Sequence, residues 1–234
     1  MSGSLAIFGA GAWGTALACV ARRAGSAVTL WGRDRDVLES IAGGRGNPAY
    51  LPDIALEPGI ATTDDMGRAL DGASAALIVC PAQAVRQVAG AMAPHMADGL
   101  PVGLCAKGIE RESLMLMTEV LADALPKARP AVLSGPTFAA EVARGLPTAV
   151  TLAAREREPA LAIRGLIADE RFRPYLSDDP VGAEVAGAAK NVIAIACGIA
   201  WGLGLGENAR AALLTRGLAE IGRIAAALGG RAET

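Results

Sequence analysis

The feature that most constrains this chain is a regular alternation of two kinds of segment, from its start to about Leu176. Short apolar runs of strand character are separated by stretches with the apolar spacing of amphipathic helices, as at 84–92, 114–125 and 159–167. Such apolar strands alternating with helices indicate an α/β fold, in which helices cover both faces of a mostly parallel sheet. The predicted strands are residues 5–8, 27–31, 75–79, 102–105, 131–133, 148–152 and 172–176.

The alternation stops at Asp179 and Pro180, a pair that suits the N-cap and first position of a helix. Helical spacing then continues to about residue 203 and again from 209 to 228, and no strand-like run returns. We therefore predict a Rossmann-type, dinucleotide-binding domain over residues 1–178, followed at 179–234 by the beginning of an all-helical domain. The Gly- and Pro-rich stretch 43–59 is predicted to be a surface loop.

Composition narrows the possible ligands and surroundings of the protein. The net charge of -2 gives no general attraction to nucleic acid or anionic lipid, so an anionic ligand needs a local site. The uncharged stretches 5–21 and 192–206 are predicted to be buried core of a soluble protein, because the first lacks a preceding basic region and the second is short for a bilayer. Four widely spaced cysteines without a CxxC pair predict buried free thiols in a reducing cytoplasm. They are Cys19, Cys80, Cys105 and Cys197.

A glycine motif follows the first predicted strand and opens the first helix, in the order Gly9-Ala10-Gly11-Ala12-Trp13-Gly14. In such a motif the first glycine permits a tight turn, the second lets the backbone approach a pyrophosphate, and the third allows close helix–strand packing. The N–H groups at the start of the helix then face the phosphates. A glycine-rich turn without a ligand is the alternative, but the strand before and the helix after favour a dinucleotide site.

The end of the second strand bears on the choice between NAD and NADP. An NAD-specific site usually places an acidic residue there to bind the ribose 2′-hydroxyl, whereas this chain has Trp31-Gly32-Arg33. Arg33 can stack on adenine and meet a 2′-phosphate, which favours NADP or the acceptance of both cofactors. Asp34 and Asp36 follow where the next helix should begin, and helix capping accounts for them.

Reduction of a ketone by hydride requires a proton donor, and the lysines are the candidates. The single histidine, His95, is predicted to lie in a surface turn, and only three lysines exist. Lys190 has small or apolar neighbours one helical turn away: Ala186, Gly187, Ile193 and Ala194. An ammonium in that setting loses hydration, which favours its neutral form, as a general acid/base requires. A lysine that extends to solvent at an interdomain face remains the alternative.

The other two lysines differ in their sequence setting. Lys107 follows a predicted strand and should lie at the carboxyl edge of the sheet, where α/β proteins bind ligands, although a solvated strand-end lysine would have the same local sequence. Lys127 lies in a polar connection and needs no special role. No metal site is predicted.

Taken together, these residues resemble the bacterial-type NAD(P)-dependent glycerol-3-phosphate dehydrogenases, and the resemblance runs through the whole chain in order. The first matching motif is generic, and the later ones are more specific. The motifs are GAGAWGTALA at 9–18, LWGR at 30–33, NPAYLP at 47–52, CPAQAVR at 80–86, AKGIE at 106–110, SGPTFAAEVARGLPTA at 134–149, AGAAKNVIAIACGI at 186–199 and ENARAALLTRGLAEI at 207–221.

The resemblance implies interconversion of dihydroxyacetone phosphate and sn-glycerol 3-phosphate with NADP or NAD, in the cytoplasm, feeding glycerophospholipid synthesis. By similarity Lys190 is the proton acceptor and donor, and Lys107 touches both substrate and cofactor. Gly135 and Thr137 resemble substrate contacts, and Ala12, Trp13, Arg33 and Ala139 resemble cofactor contacts. The implied partner is a small phosphorylated substrate, with no nucleic acid and no membrane insertion, and a homodimer of the complete protein is left open.

Members of this family continue beyond the length of this chain, and the further part carries an aspartate and a Ser-Arg-Asn-type group that complete the substrate and cofactor sites. Two alternatives therefore stay open. One is an NAD(P)-binding fragment without turnover, and the other is a related reductase of the 6-phosphogluconate or ketopantoate kind, against which the AKGIE and GPTFA segments argue. For Arg210 and Arg216, ion pairs on a helix surface or between domains remain an alternative to a substrate role.

Overall fold

A computed structural model describes residues 3–234, and within them it contains one eight-stranded sheet and nine α-helices. The strands are β1 Ser4–Phe8, β2 Ala27–Trp31, β3 Ile60–Thr63, β4 Ala75–Ile78, β5 Pro101–Leu104, β6 Arg129–Ser134, β7 Thr148–Ala153 and β8 Phe172–Ser177. The helices are α1 Ala12–Arg23, α2 Arg35–Ala42, α3 Met66–Leu70, α4 Val85–Met92, α5 Met117–Ala124, α6 Ala139–Ala143, α7 Arg157–Ile167, α8 Pro180–Gly202 and α9 Gly206–Ala227.

The sheet has the order β3-β2-β1-β4-β5-β6-β7-β8, and every neighbouring pair is parallel except β6 with β7. The predicted Rossmann-type, mostly parallel sheet is therefore confirmed. Strand order reverses between β1 and β4, because β2 and β3 extend the sheet to one side of β1 and β4 begins the other side. In open α/β sheets this switch point, at the carboxyl ends of the strands, is where ligands bind.

Helices cover both faces of the sheet, and each face has its own apolar core. Leu5 and Ile7 of β1 point into a cluster built with α1 and α7, while Ala6 and Phe8 point into a second cluster with α4 and α5. This alternation is the period of two that a strand imposes on its side chains. Burial on both faces explains why the strands contain nearly continuous apolar runs.

The seven predicted strands are all present, with shifts of one or two residues at their ends, but β3 was missed. Its sequence, Ile-Ala-Thr-Thr, buries only Ile60, because β3 is the edge strand and pairs with β2 alone. The prediction of a surface loop at 43–59 was partly wrong. Asn47, Leu51 and Ile54 are buried, so this stretch folds back onto the core beside α1.

The predicted start of the helical segment agrees with the structure. Asp179 caps α8, since its carboxylate accepts a hydrogen bond of 2.9 Å from the Gly182 N–H, and Pro180 is the first helical residue. Helix α9 packs along α8, where Gly217 gives Ile193 room: a β-carbon at position 217 would lie 2.5 Å from the Ile193 side chain. The first half of α8 packs on the sheet, where Ala183 joins Val132 and Ala153.

Two predictions about burial need correction. Residues 5–21 are mostly buried as predicted, but much of 192–206 is exposed: Val192 is 66%, Ile195 63% and Trp201 65% accessible. The second half of α8 is mostly exposed, and α9 packs along this helix. All four cysteines are free, yet only Cys19 and Cys105 are buried, whereas Cys80 and Cys197 are half-buried. By length and composition alone, α8 would also suffice to cross a bilayer, a test that core helices of soluble proteins pass as well.

Candidate active site

A cleft of about 800 Å³ opens at the switch point, above the carboxyl ends of β1, β2 and β4. Its position matches the crevice in which open α/β sheets bind dinucleotides. The glycine motif forms one wall, the residues after β2 form another, and the residues after β4 and along α4 form a third. The lining residues are Gly9–Gly11, Trp31–Asp34, Val37, Tyr50, Met66, Val79–Pro81, Ala84, Gln87, Val88 and Ala91.

Each of the three glycines in the motif is required, or leaves free space, for a different steric reason. Gly9 has a φ of +131°, and a β-carbon there would lie 2.3 Å from the Val79 carbonyl oxygen. A β-carbon on Gly14 would lie 1.8 Å from the Gly9 carbonyl oxygen, so α1 can begin this close to the turn only with glycine. Gly11 differs, because a β-carbon there would meet nothing within 4 Å. That open space, facing the cleft, is where a ligand can approach the backbone.

The start of α1 presents hydrogen-bond donors beside this space. Gly11 is the N-cap residue and has no side chain that could accept a hydrogen bond. The first-turn N–H groups of Ala12 and Trp13 also lack intrahelical acceptors. Such a helix N-terminus attracts an anion, and a pyrophosphate fits both the donors and the free space at Gly11. Ala139, at the start of α6, packs against the same apolar cluster as Ala12 and Trp13.

Arg33 lies in the wall that follows β2. Its side chain is exposed, and within residues 3–234 no carboxylate lies within ion-pair distance of it. The neighbouring Asp34 caps α2, accepting hydrogen bonds from the N–H groups of Asp36 and Val37 at 3.1 and 3.3 Å. The Asp34 carboxylate is thus engaged with its own helix, as predicted, and the Arg33 guanidinium is available to an anion in the cleft.

Lys107 lies just beyond the end of β5, in a loop that borders the cleft. A β-carbon on Gly108 would lie 2.8 Å from the Ala82 side chain, so this loop touches the segment that follows β4. The Lys107 ammonium donates a 2.8 Å hydrogen bond to the Gly135 carbonyl oxygen. Burial lowers the pKa of Lys107, and the nearby Lys190 ammonium lowers it further. Gly135 is therefore brought to Lys107, and partly exposed Thr137 follows two residues later.

Lys190 reaches the same place from α8. One turn before it, Gly187 packs against the sheet: a β-carbon there would lie 2.9 Å from Ser134 Oγ and 3.8 Å from Lys107 Cγ. The partly exposed Lys190 side chain donates a 2.9 Å hydrogen bond to Asn191 Oδ1. Gly187 thus brings α8 against the carboxyl end of β6 and beside Lys107, three residues before Lys190.

Neither ammonium is neutralised by protein. In the described part of the chain, neither Lys107 nor Lys190 forms a salt bridge, whereas the exposed Lys127 pairs with Asp98 at 2.9 Å. Two ammonium groups on adjoining segments, neither with a counter-ion, suit an anionic or strongly polarised oxygen. Chemically, this arrangement can bind a phosphorylated, oxygen-rich molecule and can give it a proton.

Sequence reasoning missed several residues that hold these loops. Asn47 is buried, and its amide donates to the Ala10 carbonyl at 3.1 Å and to Thr15 Oγ1 at 2.8 Å, which ties the NPAYLP segment to the glycine motif. Arg86 forms a two-point ion pair with Glu110, at 2.8 and 2.9 Å, and so fixes the loop that carries Lys107. The sequence signal was that Asn47, Arg86 and Glu110 each lie within a motif that resembles the family.

Other candidates have ordinary surroundings. His95 is exposed in a short 3₁₀ turn, as predicted. Arg210 pairs with Glu207 within α9 and lies over the Trp201 ring at 5.1 Å, and Arg216 pairs with Glu220 at 3.1 Å. Burial raises the pKa of Cys80, beside the cleft, to about 11, so it stays a thiol. Among residues 3–234, no group of three His, Cys, Asp or Glu side chains could hold a metal ion.

Comparison with known proteins gives consistent results. Residues 4–160 match the family described as NAD-dependent glycerol-3-phosphate dehydrogenase N-terminus, and residues 179–234 match the corresponding C-terminus. The chain is 55% identical over 230 residues to glycerol-3-phosphate dehydrogenase [NAD(P)+] of Rhodospirillum rubrum, covering 98% of this chain and 66% of that protein. It is 54% identical to the enzyme of the same name from Paramagnetospirillum magneticum, covering 97% of this chain and 82% of that protein.

Solved structures agree with these relatives. The crystal structure of glycerol-3-phosphate dehydrogenase from Coxiella burnetii superposes with a TM-score of 0.92 at 40% identity, covering 99% of this chain and 71% of that one. A ketopantoate reductase from Ralstonia eutropha gives a TM-score of 0.58 at 20% identity, covering 81% of this chain and 60% of that one, a likeness of fold alone. The alternative of a ketopantoate-like reductase is therefore much less well supported than the resemblance seen in the sequence.

Proposed function

Since this chain belongs to the family of NAD-dependent glycerol-3-phosphate dehydrogenases, we propose which of its residues perform each part of that family's reaction. The reaction is transfer of hydride between NAD(P)H and dihydroxyacetone phosphate, which forms sn-glycerol 3-phosphate. The observation that carries the assignment is that α8 meets Lys107 at Gly187, three residues before Lys190, while neither lysine has a carboxylate partner among residues 3–234.

The cofactor would be held by the wall of the cleft formed by the glycine motif. Gly9 and Gly14 shape the turn, and Gly11 leaves space for the pyrophosphate beside the N–H groups of Ala12 and Trp13. Arg33 would face the adenosine ribose, where its charge suits a 2′-phosphate, so NADPH is accepted at least as well as NADH. Ala139 would contact the cofactor from the start of α6.

The substrate would lie between α8 and the carboxyl ends of β5 and β6. Lys107 binds its oxygens while holding the Gly135 carbonyl, and the Gly135 backbone and Thr137 hydroxyl border the same space. When bound, the nicotinamide supplies the hydride that reduces the ketone carbon. The Lys190 ammonium gives its proton to the ketone oxygen, becomes neutral, and regains a proton from solvent. In the reverse direction the neutral Lys190 takes the hydroxyl proton.

The remaining parts of the proposal concern the setting of the reaction. The product supplies the backbone of glycerophospholipids, and we place the enzyme in the cytoplasm, where its half-buried and buried cysteines remain free thiols. The exposed apolar second half of α8 is compatible with a homodimer. The chain spans 66% of the Rhodospirillum rubrum enzyme, so activity is best measured on the protein as its gene encodes it.

The test is substitution of Lys190. Lys190→Ala should lower kcat for dihydroxyacetone phosphate about 10²- to 10⁴-fold, because the developing alkoxide loses its proton donor. The NADPH dissociation constant should stay within about twofold, since Lys190 is not among the residues that line the cleft. Lys190→Arg should not restore the rate, because a guanidinium keeps the charge but does not exchange its proton near neutral pH.

Lys127→Ala is the matched control, because Lys127 is exposed and pairs only with Asp98. It should leave kcat unchanged. Near-normal turnover by Lys190→Arg would show that Lys190 supplies charge alone and that the proton moves through another group. Near-normal turnover by Lys190→Ala would remove Lys190 from the mechanism altogether.

A further inference from the structure

A buried carboxylate connects α8 to the nucleotide-binding domain. Glu184 lies in the second turn of α8 and is only 5% accessible. Its two oxygens accept hydrogen bonds from Thr118, one from the backbone N–H at 2.8 Å and one from the hydroxyl at 2.7 Å. Thr118 is the second residue of α5, so a side chain of one domain binds the N-terminus of a helix of the other.

The N-terminus of α5 lacks an ordinary cap, which explains why it accepts a carboxylate from outside. Its N-cap residue is Leu116, whose side chain cannot accept a hydrogen bond. The Glu119 carboxylate accepts a hydrogen bond of 2.8 Å from the Leu116 N–H, and the Glu184 carboxylate accepts one from the Thr118 N–H. The first N–H groups of a helix lack intrahelical acceptors, so a carboxyl oxygen from outside can accept from them. Glu184 therefore completes the cap of α5 across the domain boundary.

Apolar contacts surround this hydrogen-bonded pair. The Leu116 side chain packs with Val181 and Val185 of α8, which lie on either side of Glu184, and with Ala225 of α9. These contacts bury area but permit a helix to slide or rotate, because apolar packing is not directional. The Glu184 hydrogen bonds are directional, and they fix both the rotation of α8 and its position along its axis.

The fixed segment leads directly to Lys190. Gly187 follows Glu184 by three residues, and its close contact with Ser134 Oγ and Lys107 Cγ leaves little room for α8 to approach or turn. Lys190 follows by a further three residues. Glu184 thus anchors α8 two turns before Lys190, on a helix in which each residue adds 1.5 Å along the axis. A rotation of α8 at Glu184 would move the Lys190 ammonium away from Lys107.

We propose that Glu184 is a positioning residue for the reaction, which holds α8 on the N-terminus of α5 so that the Lys190 ammonium meets the substrate oxygen. This inference rests on the proposed role of Lys190. A carboxylate removed from water is a costly means of joining two helices, and a leucine of similar volume would pack against Leu116 and Val181 at lower cost. What a leucine cannot supply is orientation.

The experiment compares two substitutions at position 184. Glu184→Leu keeps the volume and removes both hydrogen bonds, so we expect kcat to fall about 10- to 100-fold, the scale of a displacement of about 1 Å in a reacting group. Glu184→Gln keeps an acceptor for the Thr118 N–H and an amide for its hydroxyl, so most of the rate should return. The NADPH dissociation constant should change less than about twofold in both variants, because Glu184 lies outside the cleft.

Glu119→Leu is the matched control. It removes the other acidic group from the same helix N-terminus, but Glu119 is exposed and its carboxylate accepts from the N–H of Leu116, the N-cap of its own helix, rather than joining α5 to α8. It should lower the melting temperature while leaving kcat unchanged. A purely structural role for Glu184 predicts the same result for Glu184→Leu as for Glu119→Leu, and that result would overturn the proposal.

A second readout does not depend on turnover. The chain has only three lysines, so the side-chain NMR signals of Lys107, Lys127 and Lys190 can be resolved and assigned by single substitution. In Glu184→Leu the signals of Lys107 and Lys190 should shift while that of Lys127 stays in place, and Glu184→Gln should restore them. Unmoved Lys107 and Lys190 signals would overturn the positioning role, even if Lys190 itself proved dispensable. Loss of activity in Lys190→Ala with full activity in Glu184→Leu would refute the positioning role alone.

Discussion

Asn47 offers a quantitative test of how the glycine motif is held. Its amide nitrogen donates to the Ala10 carbonyl at 3.1 Å and to Thr15 Oγ1 at 2.8 Å, and the side chain is buried. Asn47→Ala removes both N–H donors and leaves the buried Thr15 Oγ1 and the partly buried Ala10 carbonyl without these partners. An unsatisfied buried acceptor costs about 1–3 kcal/mol, and a lost hydrogen bond about 1 kcal/mol. Together these effects predict a loss of about 2–4 kcal/mol in the free energy of unfolding.

The isosteric substitution Asn47→Asp sharpens the prediction. It keeps the shape of the side chain but replaces the donating NH2 group by an accepting carboxylate oxygen, which must then face the Ala10 carbonyl oxygen. We therefore expect Asn47→Asp to destabilise the protein at least as much as Asn47→Ala at neutral pH, although it creates no cavity. Asn208→Asp, at an exposed position of α9, is the control and should change stability by less than about 0.5 kcal/mol.

The assay is urea unfolding of each variant with and without NADPH. The midpoint should fall while the slope with urea concentration stays constant, which identifies a change in stability rather than in compactness. NADPH should raise the midpoint less in Asn47→Ala than in the parent protein, because a loosened glycine motif binds the cofactor more weakly and stabilises the fold less. If Asn47→Asp were as stable as the parent protein, the hydrogen bonds to Ala10 and Thr15 would not be what fixes the motif.

Three further predictions concern charged residues. Arg33→Ala should weaken NADPH binding by about 1–3 kcal/mol and NADH binding much less, as measured by titrating the protein with each cofactor. Equal weakening of both cofactors would mean that Arg33 only stacks on adenine. Burial raises the pKa of Glu184 from its ordinary 4.5 to about 7, so the free energy of unfolding should fall as pH rises across that window, and Glu184→Gln should flatten the decline. Hydrogen bonding from Arg86 lowers the pKa of Glu110 to about 2. The loss in free energy of unfolding caused by Glu110→Gln should therefore be largest above pH 4.5 and should shrink as the pH falls towards 2.

Much of the fold follows from local properties of the sequence. Seven strands and the two long helices could be predicted because their apolar runs and caps are local signals, as Asp179 and Pro180 show at the start of α8. The glycine motif was equally clear, since the steric needs of Gly9 and Gly14 arise within a few residues of each other or at the next strand. The similarity of later motifs to one family then identified that family.

The tertiary structure decided what depends on contacts distant in sequence. Asn47 meets Thr15, Arg86 meets Glu110, and Glu184 meets Thr118 across 66 residues. Nothing in the local sequence around Glu184 distinguishes a buried interdomain anchor from an exposed acid on a helix. The edge strand β3 was missed for a related reason. A strand that buries few of its side chains has few apolar residues by which it could be recognised in the sequence.

The position of Lys190 shows most clearly which features follow from the sequence and which follow from the tertiary structure. The sequence determined that Lys190 lies on a helix among small and apolar neighbours, because the spacing of apolar residues along the chain reveals helical periodicity. Only the packing of α8 on the end of β6, permitted by the missing side chain at Gly187, decided that this part of the helix lies against Lys107. Electrostatic pairing falls off with distance in space and not with separation along the chain, so a site built from two domains is fixed by the fold that brings them together.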